Sequence, residues 1–187
     1  MRTRLLTVLP VLVLGLVSAC SGLGGTGELE YVGGDGRIVQ VPSEERVAPV
    51  AVAGETLQGA PLDLADLRGE VVVVNVWWSG CGPCRTEMPM LVEASRELDA
   101  EFVGINIRDN AAAGAAFERE LGVDYPSIED PGSEALLGFG QRYAPRSMPS
   151  TAVLDREGRV AALISGEIPS ALTLAELVEE IAAEDVA

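Results

Sequence analysis

Two thiols, Cys81 and Cys84, stand two residues apart in Cys81-Gly82-Pro83-Cys84. They follow the apolar run Val71–Val76 and Trp77-Trp78, and they open a segment with helical spacing. At a strand-to-helix junction, this spacing makes a dithiol that can close into a disulfide within one turn. The positive end of the helix dipole and the unpaired first-turn amides favour a thiolate at Cys81, at the exposed helix start. Cys84, one turn in, is expected to be the more buried and to act as the resolving thiol. The chemistry predicted is thiol–disulfide exchange. A static staple would gain little, because the loop it closes is tiny. Zinc needs four ligands, and the only further cysteine is Cys20. Glu87 lies three residues after Cys84 on the same helix face. A partly buried carboxylate there would oppose the thiolate and could take or supply its proton; the plain alternative is a solvated helix residue. Asn75 cannot titrate, and either bonds near Cys84 or satisfies a strand end.

Composition removes other chemistries. The chain has no histidine, which excludes Ser-His-Asp and Cys-His nucleophiles and imidazole-ligated metals. Its 13 basic residues are all arginine, so a Schiff-base lysine and a P-loop lysine are absent as well. No metal or cofactor is expected. A net charge of −16 over 187 residues repels nucleic acid and anionic headgroups. The length suits one domain with short extensions.

At the N-terminus, Arg2 and Arg4 precede the apolar run Leu5–Val17, then Ser18-Ala19 and Cys20. That order is the grammar of a signal peptide over residues 1–19. Val17-Ser18-Ala19-Cys20 resembles the lipobox of bacterial lipoproteins, which implies lipidation at Cys20 and an extracytoplasmic, membrane-anchored protein. Ordinary cleavage would instead leave an unpaired thiol in an oxidising compartment. Residues 20–46 are then the lipidated N-terminus and a Gly-rich tether, and 47–187 the folded domain.

The elements that must hold the dithiol follow from periodicity. Leu29–Val32 and Arg37–Val41 flank Gly33-Gly34-Asp35-Gly36 as an N-terminal β-hairpin. Val47–Val52 reads as a strand, and Gly54–Leu57 and Pro61–Leu64 as short strands around a turn. Glu70–Trp77 is a strand covered on both faces. Met88, Leu91, Ser95 and Leu98 mark a helix that Pro89 kinks without ending. A strand over Glu101–Ile107 precedes a helix over Ala111–Leu121, stopped by Gly122. Tyr125–Ile128 is a short strand, and Ser133 caps a short helix to Gly140. Ser150–Asp155 and Arg159–Ser165 form a hairpin. Thr173-Leu174-Ala175-Glu176 opens the last helix as a capping box, with Leu174, Leu177, Val178 and Ile181 as its stripe. The order predicts a three-layer α/β domain with a mixed central sheet flanked by helices.

Over about Ala48–Ala183 the chain resembles the thioredoxin superfamily, and within it the membrane-anchored TlpA/ResA-like branch. The matching residues are Asn75-Val76-Trp77-Trp78-Ser79-Gly80-Cys81-Gly82-Pro83-Cys84-Arg85-Thr86-Glu87-Met88-Pro89, followed downstream by Tyr143-Ala144-Pro145-Arg146-Ser147-Met148-Pro149-Ser150. The resemblance implies a thioredoxin-like fold, an active-site role for Glu87, and a cis-proline at Pro149. A cis Pro149 would set the Met148 backbone beside the disulfide, where an extended peptide could pair with it. Trp78, Gly82 and Pro83 complete the implied substrate-contacting surface, with Trp77 in the core. Three positions depart from the family pattern. Gly80 stands where a Trp usually precedes the first cysteine, Asn75 replaces the buried acid of cytosolic thioredoxins, and Ser147 replaces a Gly.

The resemblance further implies protein disulfides as substrates, apocytochrome c among them, and a membrane thiol–disulfide electron donor. Nothing obvious beyond the helix end stabilises a Cys81 thiolate, so the reduced form gains no special stability and the protein should act as a reductant. Two other readings remain. A peroxiredoxin-like peroxidase needs Pro and Thr before the reactive cysteine, where this chain has Trp78-Ser79-Gly80. A binding lipoprotein would carry the same scaffold with an inert disulfide.

Overall fold

The computed structural model describes residues 38–184. The expected signal peptide, Cys20, the expected tether as far as residue 37 and the Leu29–Val32 arm of the expected hairpin lie outside the described residues. The described chain runs β1 (Ile38–Gln40), β2 (Ala53–Glu55), β3 (Pro61–Asp63), β4 (Val72–Trp77), α1 (Gly82–Glu97), β5 (Glu101–Ile107), α2 (Ala111–Leu121), β6 (Ser127–Asp130), α3 (Gly140–Tyr143), β7 (Ser150–Leu154), β8 (Val160–Ser165) and α4 (Ala171–Glu184). The main sheet has the order β1-β8-β7-β4-β5-β6, and β2 pairs with β3 apart from it. β4 is parallel to β5 and antiparallel to β7, so the sheet is mixed.

β4 is buried along its whole length, as its run of β-branched residues requires. Its side chains alternate between two cores. Val73 and Trp77 join Met88 and Leu91 of α1, Phe117 of α2, and Leu174, Leu177, Val178 and Ile181 of α4. Val72, Val74 and Val76 face Val50, Val52, Leu64, Phe139 and Tyr143. Helices therefore cover one face, while 3-10 turns, α3 and the segment before β2 cover the other. Asn75 shares the parity of Val73 and Trp77, so β4 delivers an amide to the α1 side. No helix among the described residues is long and apolar enough to cross a membrane.

Several expectations shift. Ile38–Gln40 is a strand that pairs with β8 and, among the described residues, lies at the edge of the sheet. Val47–Val52 forms no strand. Pro49 has no amide hydrogen to give a ladder, and Val50 N and Ala51 N instead bond Gly158 O and Gly138 O across two loops. The strand expected at Tyr125–Ile128 lies two residues on, at Ser127–Asp130. Ser133 does not cap the next turn. It takes φ 60°, and Asp130 receives the amides of Glu134 and Ala135 at 2.8 and 3.0 Å. α4 starts at Ala171, ahead of the expected capping box, and Ser170 Oγ accepts the Thr173 amide at 3.1 Å. Pro89 sits inside α1, which continues to Glu97.

Candidate active site

Cys81 is the N-cap of α1, and its sulfur accepts the Cys84 amide at 3.1 Å. Pro83 occupies the first turn, where no helical partner is needed for its missing amide hydrogen. The two cysteines form a disulfide with Cα atoms 5.2 Å apart. Cys81 is 6% exposed and Cys84 fully buried. The order of accessibility is the expected one, but Cys81 is far less open than a helix start suggests. Gly82 and Pro83 are exposed beside it, Trp78 and Met148 are half-buried, and Pro149 is buried. The Met148–Pro149 peptide bond is cis, and Met148 packs against the core cluster that contains both cysteines.

Glu87 is deeper than a partly buried helix residue. It is 2% exposed, one turn below Cys84. Its Oε1 accepts from Asn75 Nδ2 at 2.9 Å, and its Oε2 from the Ile168 amide at 3.1 Å. Burial raises its pKa to about 7 against the lowering effect of both hydrogen bonds, with Glu167 adding to the rise. A carboxyl poised there can hold or release a proton at neutral pH. Asn75 Nδ2 also donates to Thr151 Oγ1 of β7 at 3.0 Å. Of the two readings of Asn75, the structure favours the one near the site: it binds the carboxyl rather than a strand end.

The loop before Cys81 is clasped from the turn that follows β5. Asp109 accepts from Ser79 N and Ser79 Oγ at 2.6 and 2.8 Å, and from Asn106 Nδ2 at 2.9 Å. The Gly80 departure has a steric cause: a Cβ there would collide with the six-membered ring of Trp78. The Arg108 guanidinium lies over Trp78, 5.6 Å from its ring centroid. Behind the site, Trp77 stacks on Phe117 at 4.8 Å, and Arg85 covers the same Phe117 at 4.8 Å while pairing with Glu120. Arg85 follows Cys84 directly, yet its charge is already engaged. Asp109, Thr151, Arg108 and the Ile168 amide were not singled out from sequence; each gains its place only when distant segments meet. Among the described residues no group of acidic, cysteine or histidine side chains could hold a metal.

The Redoxin family model matches residues 42–181. The chain belongs to the Redoxin family. Among its relatives, the thiol:disulfide interchange protein HelX of Rhodobacter capsulatus is 32% identical over 146 residues, covering 72% of this chain and 80% of HelX. The thiol-disulfide oxidoreductase ResA of Bacillus subtilis is 27% identical over 133 residues, covering 70% of this chain and 72% of ResA. A DsbF homologue from Corynebacterium diphtheriae superposes with TM-score 0.72 at 31% identity, over 82% of this chain and 99% of its own. A secreted thiol-disulfide isomerase from Corynebacterium glutamicum gives TM-score 0.73 at 28% identity, over 84% and 99%. This Redoxin is a thiol–disulfide oxidoreductase of the ResA and HelX type, and its fold is thioredoxin-like.

Proposed function

We propose that the protein reduces protein disulfides outside the cytoplasm from a lipid anchor at Cys20, with residues 1–19 as a signal peptide, 20–46 as anchor and tether, and 47–187 as the redox domain. The observation that carries the mechanism is the buried Glu87 carboxyl, held one turn below the disulfide with a pKa of about 7. In the reduced protein the Cys81 thiolate attacks one sulfur of a substrate disulfide. The substrate S–S bond breaks, a Cys81–substrate bond forms, and the departing thiolate takes a proton from solvent. Cys84 then gives its proton to Glu87 and attacks the Cys81 sulfur. The second substrate thiolate leaves and is protonated, and the Cys81–Cys84 bond closes. Two electrons pass from the dithiol to the substrate.

Trp78, Gly82, Pro83, Met148 and Pro149 are assigned to substrate contact, with the Met148 backbone pairing an extended peptide. Apocytochrome c, whose haem-attachment cysteines must be free thiols, is the proposed substrate, and a membrane thiol–disulfide carrier returns the electrons. The secreted Corynebacterium isomerase supports the extracytoplasmic assignment. In the test, wild type reduces insulin disulfides, Cys81→Ser does not, and Cys84→Ser traps a mixed disulfide whose partner is then identified. A redox potential above about −150 mV would overturn the reductive direction.

A further inference from the structure

We propose that Asn75 is a positioning residue whose side-chain amide reverses end for end as Glu87 gains or loses its proton, with Thr151 changing from acceptor to donor in step. The proposal rests on the reading of Glu87 as proton partner of the dithiol, and it concerns how the protein satisfies that carboxyl in both of its states. Glu87 receives two N–H groups, Asn75 Nδ2 on Oε1 and the Ile168 amide on Oε2. Two donors suit an ionised carboxylate. A protonated carboxyl needs an acceptor for its own O–H, and neither of these groups is one.

Asn75 can supply it. Its Nδ2 serves both Glu87 Oε1 and Thr151 Oγ1, while its Oδ1 is buried without a hydrogen-bond partner. Rotation about the last side-chain bond exchanges the two ends, which differ little in size, so the surrounding packing is unchanged; Nδ2 moves to the place where Oδ1 had no partner and gives up its two acceptors, a cost set against the two bonds that Oδ1 gains. Oδ1 then accepts the O–H of protonated Glu87 at the Oε1 side. It also accepts the hydroxyl hydrogen of Thr151, which can act in either sense. Glu87 Oε2 keeps its bond from Ile168. The proton remains on Glu87 throughout, and only hydrogen bonds exchange. Valine at 151 would have the same shape and would lack the hydroxyl that makes this exchange symmetrical.

The titratable groups facing Glu87 are Glu167 from the β8–α4 connection and Tyr125 from the segment before β6. The two thiols face it from the head of α1 once the disulfide is reduced. Neither Glu167 nor Tyr125 hydrogen-bonds Asn75: the Glu167 charge adds to the burial that raises Glu87, Tyr125 is uncharged in that range, and the choice of amide end is left to Glu87 and Thr151.

The test is an NMR titration of the whole oxidised protein, labelled on the Asn75 side-chain nitrogen, the Glu87 carboxyl carbon and the Thr151 methyl. Above the Glu87 midpoint, cross-peaks should join the Asn75 amide hydrogens to the Thr151 methyl. Below it they should fade, with the same midpoint as the carboxyl carbon. In Glu87→Gln their intensity should be independent of pH. Cross-peaks that persist unchanged while the carboxyl titrates would overturn the reversal and leave the redox reading intact. Loss of insulin reduction in neither Cys81→Ser nor Glu87→Gln would sink the redox reading by a separate measurement. A carboxyl that never titrates in the folded protein would overturn the reversal too.

Discussion

Glu87 binds a proton more tightly in the folded protein than in the unfolded chain, because burial moves its pKa from 4.5 to about 7. Its own contribution to stability is therefore most favourable below pH 4.5. That advantage is lost as pH rises through the window from 4.5 to about 7, and above it the buried charge is a standing cost. The full swing is about 3 kcal/mol. Glu87→Gln should lack this component, so its stability relative to wild type should improve by about that amount across the window. Urea unfolding of the oxidised proteins at a series of pH values measures it. The same substitution should slow the Cys84 step about 100-fold, the size of a lost general base, seen as slower decay of a preformed mixed disulfide in single turnover. Under the proposed role of Glu87, its replacement is expected to raise stability and lower turnover, opposite signs that a packing role alone would not give.

At the scale of elements, the head of α1 is held by what precedes it as much as by its own helix. Asp109→Ala removes two bonds from Ser79 and leaves Asn106 Nδ2 without its acceptor. The expected cost is about 2 kcal/mol, with slower insulin reduction at unchanged secondary structure by circular dichroism. Gly80→Ala should cost about 1–3 kcal/mol through overpacking against the Trp78 ring, read as a lower denaturation midpoint. The elements themselves were largely legible. β5, α2 and the β7–β8 hairpin fall where periodicity and Gly122 put them, because those signals are local. Val47–Val52 misled because a valine-rich run says nothing about a partner strand, and Pro49 denies one. Ser133 and Thr173 misled because several polar residues compete for one cap, and the winners, Asp130 and Ser170, are set by how the chain arrives. The cysteines were legible for the same reason as the elements, since their chemistry is contained in four residues. The cradle of Glu87 was not: its bonds join residues 12, 76 and 81 positions apart.

For the molecule as a whole, two electrostatic facts act at different ranges. The side chain of Arg46 is nearly inaccessible and ties the segment after β1 to Asp155 at 3.1 Å and to Glu184 at the end of α4 at 2.6 Å. Arg159 also holds Asp155, so the acid retains a partner in Arg46→Ala. That variant should lose about 3 kcal/mol, the lower end for breaking a buried pair from one side, and calorimetry should show a lower Tm. The net charge of −16 acts over longer distances as self-repulsion, which added salt screens. Tm should therefore climb with sodium chloride from low ionic strength and level off near physiological values.

The sheet order has one more geometric outcome. β7 runs against β4, β8 against β7, and β1 against β8. β1 therefore runs opposite to β4, and Ile38, through Ile164 and Thr151, is level with Asn75. The polypeptide upstream enters at the rim from which β4 releases the chain toward Cys81, roughly 14 Å to the side across three strand spacings. Whatever is joined upstream of Ile38 is therefore attached at the rim that carries the dithiol rather than at the opposite end of the sheet.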